Sequence, residues 1–262
     1  NADLATFLDT TDEWITSRTV IRERRVSHVR LEDLGYVAAM RALACAGLDP
    51  ADVELIVFGT CSFDDQVPNQ ASGIQVRLGA KKAAAMDVNT ACTSFLYGLS
   101  TANAFIRNGV VRNAVVLGGE IISAFMDWGN RGVAVLFGDG CAAVVLQATD
   151  HEEGLLAERL GCDSDARDTL VVEGMGTRYA DYTRSYGDTN WIFEGPEIFK
   201  RAVIGMSGAC ADVLASRHLT PDDVDLVVPH QANLRIIEAV AKRAGVPMER
   251  VFVNVHRYGN MS

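Results

Sequence analysis

The stretch AAMRALACAGLDPADVELIV, residues 38 to 57, can be laid without gaps over ACADVLASRHLTPDDVDLVV, residues 209 to 228. The offset is a constant 171 residues, and both stretches place Pro-x-Asp between a helix-like and a strand-like segment. The first stretch shares with the second its residues Ala38, Leu43, Ala44, Leu48, Pro50, Asp52, Val53, Leu55 and Val57. Two explanations stay open: a fold duplicated from two related halves, or convergence on the turn chemistry of helix-to-strand loops.

The chain around this repeat alternates helix-like and strand-like segments. Helical patterns at 34–48, 96–109 and 202–219 are each followed by a short apolar run, at 53–59, 113–120 and 224–230. This order predicts an α/β fold with largely parallel, buried strands. Residues 133–147 differ, because two apolar runs flank Gly138-Asp139-Gly140 and predict a β-hairpin.

The duplication hypothesis divides the chain into three parts. Residues 1–150 would form the first half and residues 198–262 the second. Residues 151–197 are poor in apolar runs and would be a connection that is partly loop. Ligand sites favour such junctions.

The composition argues against several classes of protein. Acidic residues outnumber basic ones 34 to 24, and no basic block is longer than RERR at 22–25, so we expect no nucleic-acid partner. The apolar runs fall well short of the roughly 18 residues that span a membrane, which predicts a soluble protein with no membrane association. The six cysteines show no metal-ligand spacing and no signal peptide is recognisable, so we expect a cytoplasmic protein without a metal site.

The segment DVNTACTSFLYGL, residues 87 to 99, sets Cys92 between the buried strand predicted at 84–88 and a helix predicted to start near Thr93. The unpaired N–H groups and the positive dipole end of a helix stabilise a thiolate there. Packing as a small hydrophobic residue is the alternative for any single cysteine. A working thiol also needs a base or hydrogen-bond donors nearby.

Two candidate partners lie far downstream. His230 in VVPHQANLR and Asn260 in VNVHRYGNMS each follow an apolar run, in the kind of loop where α/β proteins gather ligand groups. Taken singly, each could be a turn residue, since Asn beside Gly is common in loops.

Together, TAC at a helix start, PHQANLR and HRYGNMS resemble the Cys-His-Asn triad of the β-ketoacyl-acyl carrier protein synthase III family of thiolase-like condensing enzymes. The resemblance extends over nearly the whole chain, through TTDEWITSRTVIRERR, NRGVAVLFGDG and EGPEIFKRAV. It implies a duplicated, thiolase-like fold of five αβαβα layers, which agrees with the repeat. It also implies the reaction that starts bacterial fatty-acid synthesis.

The resemblance implies a role for each member of the triad. Cys92 would take an acyl group from acyl-CoA, while His230 and Asn260 would assist the decarboxylation of malonyl carried on acyl carrier protein. The residue types suit these roles, because a thiolate attacks thioesters and the two other side chains can donate hydrogen bonds to an enolate oxygen. No cofactor is implied, since acyl-CoA is a substrate.

The resemblance further implies binding residues and a homodimer. Trp14, Arg18 and Arg131 would line the CoA nucleotide site, with Asn233 as a further substrate contact. An acidic carrier protein would dock on Gln231, Ala232, Asn233, Leu234, Arg235, Lys242 and Arg243. Val67 would reach into the partner subunit's acyl pocket. Relatives specialised for acetyl primers often carry Phe at this position, so the smaller Val leads us to expect primers longer than acetyl.

The chain departs from the family pattern in several places. Thr93-Ser94 replaces a small residue followed by Gly, Val20 stands where Gly is usual, and Met261 replaces the usual Thr. Because the family's first strand and last elements are missing from the sequence, we expect an incomplete fold or part of a longer protein. Two other functions stay open: a condensing enzyme or acyltransferase of secondary metabolism, and a non-catalytic partner subunit, against which the intact triad argues.

Overall fold

A computed structural model describes residues 1–151, 153–179 and 189–262. The other residues, 152 and 180–188, belong to the predicted connection at 151–197 and lie outside the described residues. The helices are α1 (Asp12–Thr19), α2 (Leu31–Ala46), α3 (Gln70–Leu78), α4 (Ser94–Arg107), α5 (Arg131–Ala134), α6 (Gly195–Ser216), α7 (Leu234–Ala244) and α8 (Val255–Tyr258). The strands are β1 (Leu55–Gly59), β2 (Ala84–Val88), β3 (Asn113–Glu120), β4 (Gly140–Gln147), β5 (Leu170–Glu173) and β6 (Asn190–Phe193).

A four-stranded sheet forms the centre of one compact unit, which comprises Val26–Ile121, Asp139–Leu156 and Met261–Ser262. The strand order is β2-β1-β3-β4. Strand β1 runs parallel to both of its neighbours, and β4 runs antiparallel to β3. The parallel α/β arrangement predicted for this part of the chain is therefore confirmed.

Helices cover both faces of β1. Ile56 and Phe58 pack in one core cluster with residues of α2 and α3, whereas Leu55 and Val57 pack in another with residues of α4. All four side chains are fully buried. Successive residues of a strand point to opposite faces, so burial on both faces requires the uninterrupted apolar run that the sequence shows here.

The second compact unit comprises Asn1–Arg25, Ile122–Gly138 and Ala157–Asn260. Ile21, Ile237 and Val255 are fully buried in one of its core clusters. Elsewhere in this unit Trp191 stacks on Phe125 and donates a hydrogen bond to the Phe125 carbonyl at 2.9 Å. These units are built from separate segments and cut across the boundaries predicted at 150 and 197.

The two repeated stretches follow the same local backbone course. Gly47 after α2 and His218 after α6 are both left-handed, with φ values of 65° and 58°. Each is followed by a 3-10 turn, Pro50–Asp52 in the first stretch and Pro221–Asp223 in the second. Both a duplicated fold and convergent turn chemistry predict this shared local course.

The strand predicted at 224–230 is wrong. Its pairing reduces to one parallel bridge between Val227 and Val251. Leu226 and Val228 on either side are 57% and 68% exposed, whereas the matching residues of β1 are fully buried. An apolar run forms a ladder only when strands lie beside it, and within the described residues this run is bridged at a single position.

The hairpin predicted at 133–147 is also wrong. The start of the first predicted strand is helical instead, because it belongs to the short helix α5. Asn130 caps this helix by accepting a hydrogen bond from the Gly132 N–H. The second arm is β4, and it pairs with β3 instead. The strand predicted at 84–88 is present as β2, but it is only half-buried and not buried as expected, because it lies at the edge of the sheet.

None of the helices in the described parts of the chain combines the length and the apolarity needed to cross a membrane.

Candidate active site

Cys92 lies in a tight 3-10 turn, Ala91–Thr93, between β2 and α4. Ala91 has a positive φ of 50°, which a residue with a side chain rarely adopts. The Ser94 hydroxyl accepts from the Thr90 N–H at 2.9 Å and donates to the Ala91 carbonyl at 2.7 Å. These contacts close the turn and leave Cys92 exposed. The predicted strand-to-helix turn at Cys92 is confirmed.

The Ser262 hydroxyl lies against the Cys92 thiol, and the two residues belong to the same compact unit. It donates to the Cys92 Sγ at 3.6 Å. A hydroxyl donor stabilises negative charge on the atom that accepts its hydrogen bond. The sequence reasoning missed Ser262, although it ends the same motif that contains Asn260.

Glu120 provides a buried carboxylate at the end of β3. It is 3% exposed and accepts hydrogen bonds from the Thr60 hydroxyl at 3.0 Å, the Cys61 N–H at 2.9 Å and the Ser62 hydroxyl. Burial raises the pKa of the Glu120 carboxyl, and the hydrogen bonds oppose that rise. The carboxylate thereby fixes the loop that follows β1.

Cys61 is a second thiol in the electrostatic surroundings of Cys92. Burial raises the pKa of the Cys61 thiol, and the negative charges of Glu120 and Cys92 raise it further. A thiol held neutral in this way is a poor nucleophile. The sequence analysis did not single out Cys61 or Glu120. Cys61 lies shortly after β1 and Glu120 ends β3, and these two parallel strands bring their carboxyl ends to the same edge of the sheet.

His230 lies in a loop that its neighbour Gln231 fastens to the segment leading to α8. The Gln231 amide donates to the carbonyls of Pro229 at 3.0 Å and Phe252 at 3.1 Å. Its oxygen accepts from the N–H groups of Asn254 at 2.9 Å and Val255 at 3.1 Å. Because both ends of the amide bind backbone, the Gln231 side chain organises this loop.

Asn260 is 7% exposed and its main chain is paired. Its N–H donates to the Leu136 carbonyl at 2.9 Å, and its carbonyl accepts from the Gly138 N–H at 2.9 Å. A parallel bridge to Phe137 results. His230 and Asn260 belong to the compact unit that also contains α1 and α5, whereas Cys92 belongs to the unit of the four-stranded sheet.

Two cationic side chains lie close to the ring of Trp14. The guanidinium carbons of Arg18 and Arg131 lie 4.4 Å and 4.6 Å from the ring centroid. Arg131 is fixed by a hydrogen bond to the Asp9 carbonyl at 2.5 Å. The structure thus brings together the three residues expected at a CoA nucleotide site.

Helix α7 carries four of the seven predicted docking residues, Leu234, Arg235, Lys242 and Arg243, and the other three precede it. Asn233 caps this helix by accepting a hydrogen bond from the Ile236 N–H at 3.0 Å. The side chains of Ile236 and Ile237 are buried on the inner face of the helix. Residues 232 and 234 are half-buried; the exposed cations of the segment are Arg235, Lys242 and Arg243. Val67, in the loop before α3, is 83% exposed.

Comparisons with known proteins identify relatives over the full length of the chain. The family model described as 3-oxoacyl-[acyl-carrier-protein (ACP)] synthase III matches residues 86–164, and the model of its C-terminal part matches residues 214–262. The chain is 49% identical to β-ketoacyl-[acyl-carrier-protein] synthase III 2 of Vibrio cholerae, covering 100% of this chain and 72% of that protein. It is 45% identical to the Roseiflexus castenholzii β-ketoacyl-[acyl-carrier-protein] synthase III, with 81% of that protein covered.

Solved structures agree with these relatives. The Aquifex aeolicus 3-oxoacyl-[acyl-carrier-protein] synthase III has a TM-score of 0.92 at 38% identity, covering 100% of this chain and 81% of that one. A priming β-ketosynthase from a polyketide biosynthetic pathway has a TM-score of 0.89 at 32% identity, with 78% of its chain covered. The predicted thiolase-like fold class is therefore confirmed.

Proposed function

The chain belongs to the β-ketoacyl-acyl carrier protein synthase III family, and from this we propose that Cys92, His230 and Asn260 are its catalytic residues. Members of the family are condensing enzymes, and the protein is accordingly an acyltransferase that initiates fatty-acid synthesis from acyl-CoA and malonyl-acyl carrier protein. The observation that carries the assignment of roles is the closed turn that leaves Cys92 exposed at the start of α4.

The first half-reaction takes place at Cys92. Its thiolate attacks the thioester carbonyl of acyl-CoA, and CoA departs as the acyl group stays on sulfur. The N-terminus of α4 and the Ser262 hydroxyl favour negative charge at the sulfur. The Cys92 N–H would donate to the tetrahedral oxyanion, a contact worth about 3 kcal/mol.

The second half-reaction uses His230 and Asn260. Loss of carbon dioxide from the malonyl thioester leaves an enolate, and neutral donors such as the His230 Nε2–H and the Asn260 amide stabilise its oxygen. The enolate carbon then attacks the acyl group on Cys92 and releases the thiolate. Side chains supply every step, so we expect the enzyme to work without an added cofactor.

Substrate binding divides between two surfaces. The Trp14 ring offers an aromatic face for adenine, and Arg18 and Arg131 beside it offer cations for phosphate. Arg235, Lys242 and Arg243 would attract an acidic carrier protein to α7. Charge reversal at Lys242 and Arg243 should raise the KM for malonyl-acyl carrier protein and leave the KM for acetyl-CoA in the acylation of Cys92 unchanged.

We expect a homodimer that joins two copies through β2. This strand lies at the edge of the sheet, and edge strands with free backbone groups pair readily across two-fold axes. The loop with Val67 is attached to β2, because the Asn69 amide donates to the Ala85 carbonyl at 3.2 Å. Light scattering should give the mass of two chains.

Val67 would then set the length of the primer. Replacing a Phe wall by Val opens space for several methylenes, each worth about 0.8 kcal/mol on burial. We expect Val67→Phe to lower kcat/KM for hexanoyl- and octanoyl-CoA and to spare acetyl-CoA. The control is Val76→Phe on α3, where Val76 is 75% exposed. A strong preference of the unmodified enzyme for acetyl-CoA would refute the longer primer.

The triad is tested by measuring the two half-reactions separately. Cys92→Ser should abolish acyl-enzyme formation, whereas Asn260→Ala should leave acylation largely intact and lose decarboxylation of malonyl-acyl carrier protein. Equal loss of both half-reactions in Asn260→Ala would contradict the roles. Acylation without condensation on malonyl-acyl carrier protein would favour an acyltransferase of secondary metabolism.

A further inference from the structure

Arg24 is a half-buried cation outside the residues assigned to the reaction. Its Nη2 donates to the Val135 carbonyl at 2.8 Å and to the Asn1 side-chain oxygen at 2.9 Å. All three residues belong to one compact unit. The guanidinium therefore fastens the backbone at residue 135, immediately before the segment that pairs with Asn260.

That segment is in direct contact with Asn260. The Leu136 carbonyl accepts from the Asn260 N–H, and the Gly138 N–H donates to the Asn260 carbonyl, both at 2.9 Å. A displacement of residues 135–138 would consequently carry Asn260 with it. Through this pairing, the hydrogen bond from Arg24 to Val135 acts on the position of Asn260.

The aliphatic part of Arg24 is packed against the same pairing. A β-carbon added to Gly138 would lie 3.1 Å from the Arg24 Cβ and 2.5 Å from the Tyr258 carbonyl oxygen. One added to Gly259 would lie 3.5 Å from the Arg24 Cβ and 2.9 Å from the Leu136 carbonyl oxygen. Arg24 thus lies against both glycines that flank the pairing of Asn260.

The Arg24 Nε is buried and has no hydrogen-bond partner among the described residues. A buried N–H without a partner costs stability, and the two hydrogen bonds of the Nη2 group have to offset that cost. The polar contacts of the guanidinium are therefore those of its Nη2, which hold the Val135 carbonyl and the Asn1 side chain.

We propose that Arg24 is a positioning residue for Asn260 and acts through the backbone of residues 135–138. The inference rests on the proposed role of Asn260 in decarboxylation. Arg24 touches neither substrate nor the reacting atoms in this scheme, so its removal should impair only the half-reaction that uses Asn260. Acylation of Cys92 should proceed at its normal rate.

The test measures both half-reactions of the full chain for Arg24→Met and Arg24→Lys. Arg24→Met keeps the apolar stem and should lower the rate of malonyl decarboxylation by about 10- to 100-fold, since a misplacement of about 1 Å costs that much. Arg24→Lys retains a cation that can reach one carbonyl and should lose less. The exposed neighbour Arg22 provides the control, and Arg22→Met should leave both rates unchanged.

The outcomes separate this inference from the assignment of Asn260. If Asn260→Ala loses decarboxylation while both Arg24 variants keep it, Arg24 does not position Asn260. Equal loss of acylation and decarboxylation in Arg24→Lys would also overturn the inference, because it would show a general structural role. If Asn260→Ala itself keeps decarboxylation, the proposed function of Asn260 fails first.

Discussion

The guanidinium of Arg131 lies 4.6 Å from the centroid of the Trp14 ring, although the two residues come from different helices. Arg18 approaches the same ring at 4.4 Å. Two cations around one aromatic ring suit a ligand that combines a flat base with phosphates. This arrangement agrees with the proposed role of Trp14 in binding the nucleotide half of CoA.

Trp14→Ala should therefore raise the KM for acetyl-CoA in the acylation of Cys92 by about tenfold, because stacking of a base on an aromatic ring is worth about 1–3 kcal/mol. The kcat should stay near its normal value. Acetyl-pantetheine, which lacks the nucleotide, should show no such rise. Trp128→Ala is the matched control, since Trp128 packs on Phe7 at 6.1 Å between ring centroids. An equal rise for acetyl-pantetheine would remove Trp14 from the nucleotide site.

Val20 offers a test of backbone strain. It follows α1 with φ 60° and ψ 0°, a left-handed conformation that is costly for a β-branched residue. Val20→Gly and Val20→Ala both remove the two γ-methyl groups, but only Gly also removes the β-carbon and so relieves the strain. The Gly variant should be more stable than the Ala variant by about 1 kcal/mol in urea unfolding.

The control for this prediction is Ser17, an exposed residue within α1. There the order should reverse, with Ala more stable than Gly by about 0.5–1 kcal/mol. A Val20→Ala variant as stable as Val20→Gly would show that the left-handed backbone carries no penalty at this position.

The sequence predicted those features that depend on local pattern. The apolar run of β1, the periodicity of α2 and the join at Cys92 are each written in consecutive residues, and each was found where it was expected. The unusual residue at Val20 was also visible, although its left-handed backbone was not. Motif order identified the family before any geometry was known.

Features that depend on pairing between distant segments could not be predicted in this way. The apolar run at 224–230 resembles that of β1, but only the neighbours of β1 complete a ladder. The hydrogen bonds that the loop after β1 donates to Glu120 join residues about sixty positions apart. The amide of Gln231 likewise reaches the backbone of 252–255, about twenty positions away in the chain.

Gly59 allows the start of α4 to approach β1 closely. A β-carbon added there would lie 2.8 Å from the Ser94 carbonyl carbon and 2.9 Å from the Phe95 nitrogen, both of which are backbone atoms. Gly59→Ala should displace the start of α4, cost about 1–3 kcal/mol of stability and slow the acylation of Cys92.

The control for Gly59 is Gly205 on α6. Among the described residues, no atom other than those of the adjoining helix backbone and the chain neighbours of Gly205 lies within 4 Å of a β-carbon added there. Gly205→Ala should therefore stabilise the protein by about 0.5–1 kcal/mol through helix propensity and leave acylation unchanged. Normal stability and normal acylation in Gly59→Ala would show that α4 is not tightly seated on β1.

Glu120 predicts a pH dependence of stability. Burial raises the pKa of its carboxyl in the folded protein above the ordinary value of 4.5, so folding favours the protonated form. Its contribution to stability is thus fully present below the pKa of the unfolded chain and is lost as the pH rises through the folded pKa. Glu120→Gln, which cannot ionise, should escape that loss.

Urea unfolding at about pH 5 and about pH 8 measures the effect. The unfolding free energy of Glu120→Gln minus that of the unmodified protein should be larger at the higher pH. A difference that stays constant, or that shrinks as the pH rises, would mean that folding does not favour the protonated carboxyl.

The most direct test of the whole account asks which of the six cysteines takes the acyl group. The protein is incubated briefly with acetyl-CoA and, in parallel, with octanoyl-CoA, and the reactions are quenched in acid. The protein is then digested, and the masses of its peptides are measured by mass spectrometry. We predict one added acyl group per chain, on the peptide that contains Cys92 and on no peptide that contains Cys61, whose thiol is kept neutral by burial. Acylation of another cysteine, or no added acyl mass from either thioester, would contradict the assignment of Cys92 as the nucleophile.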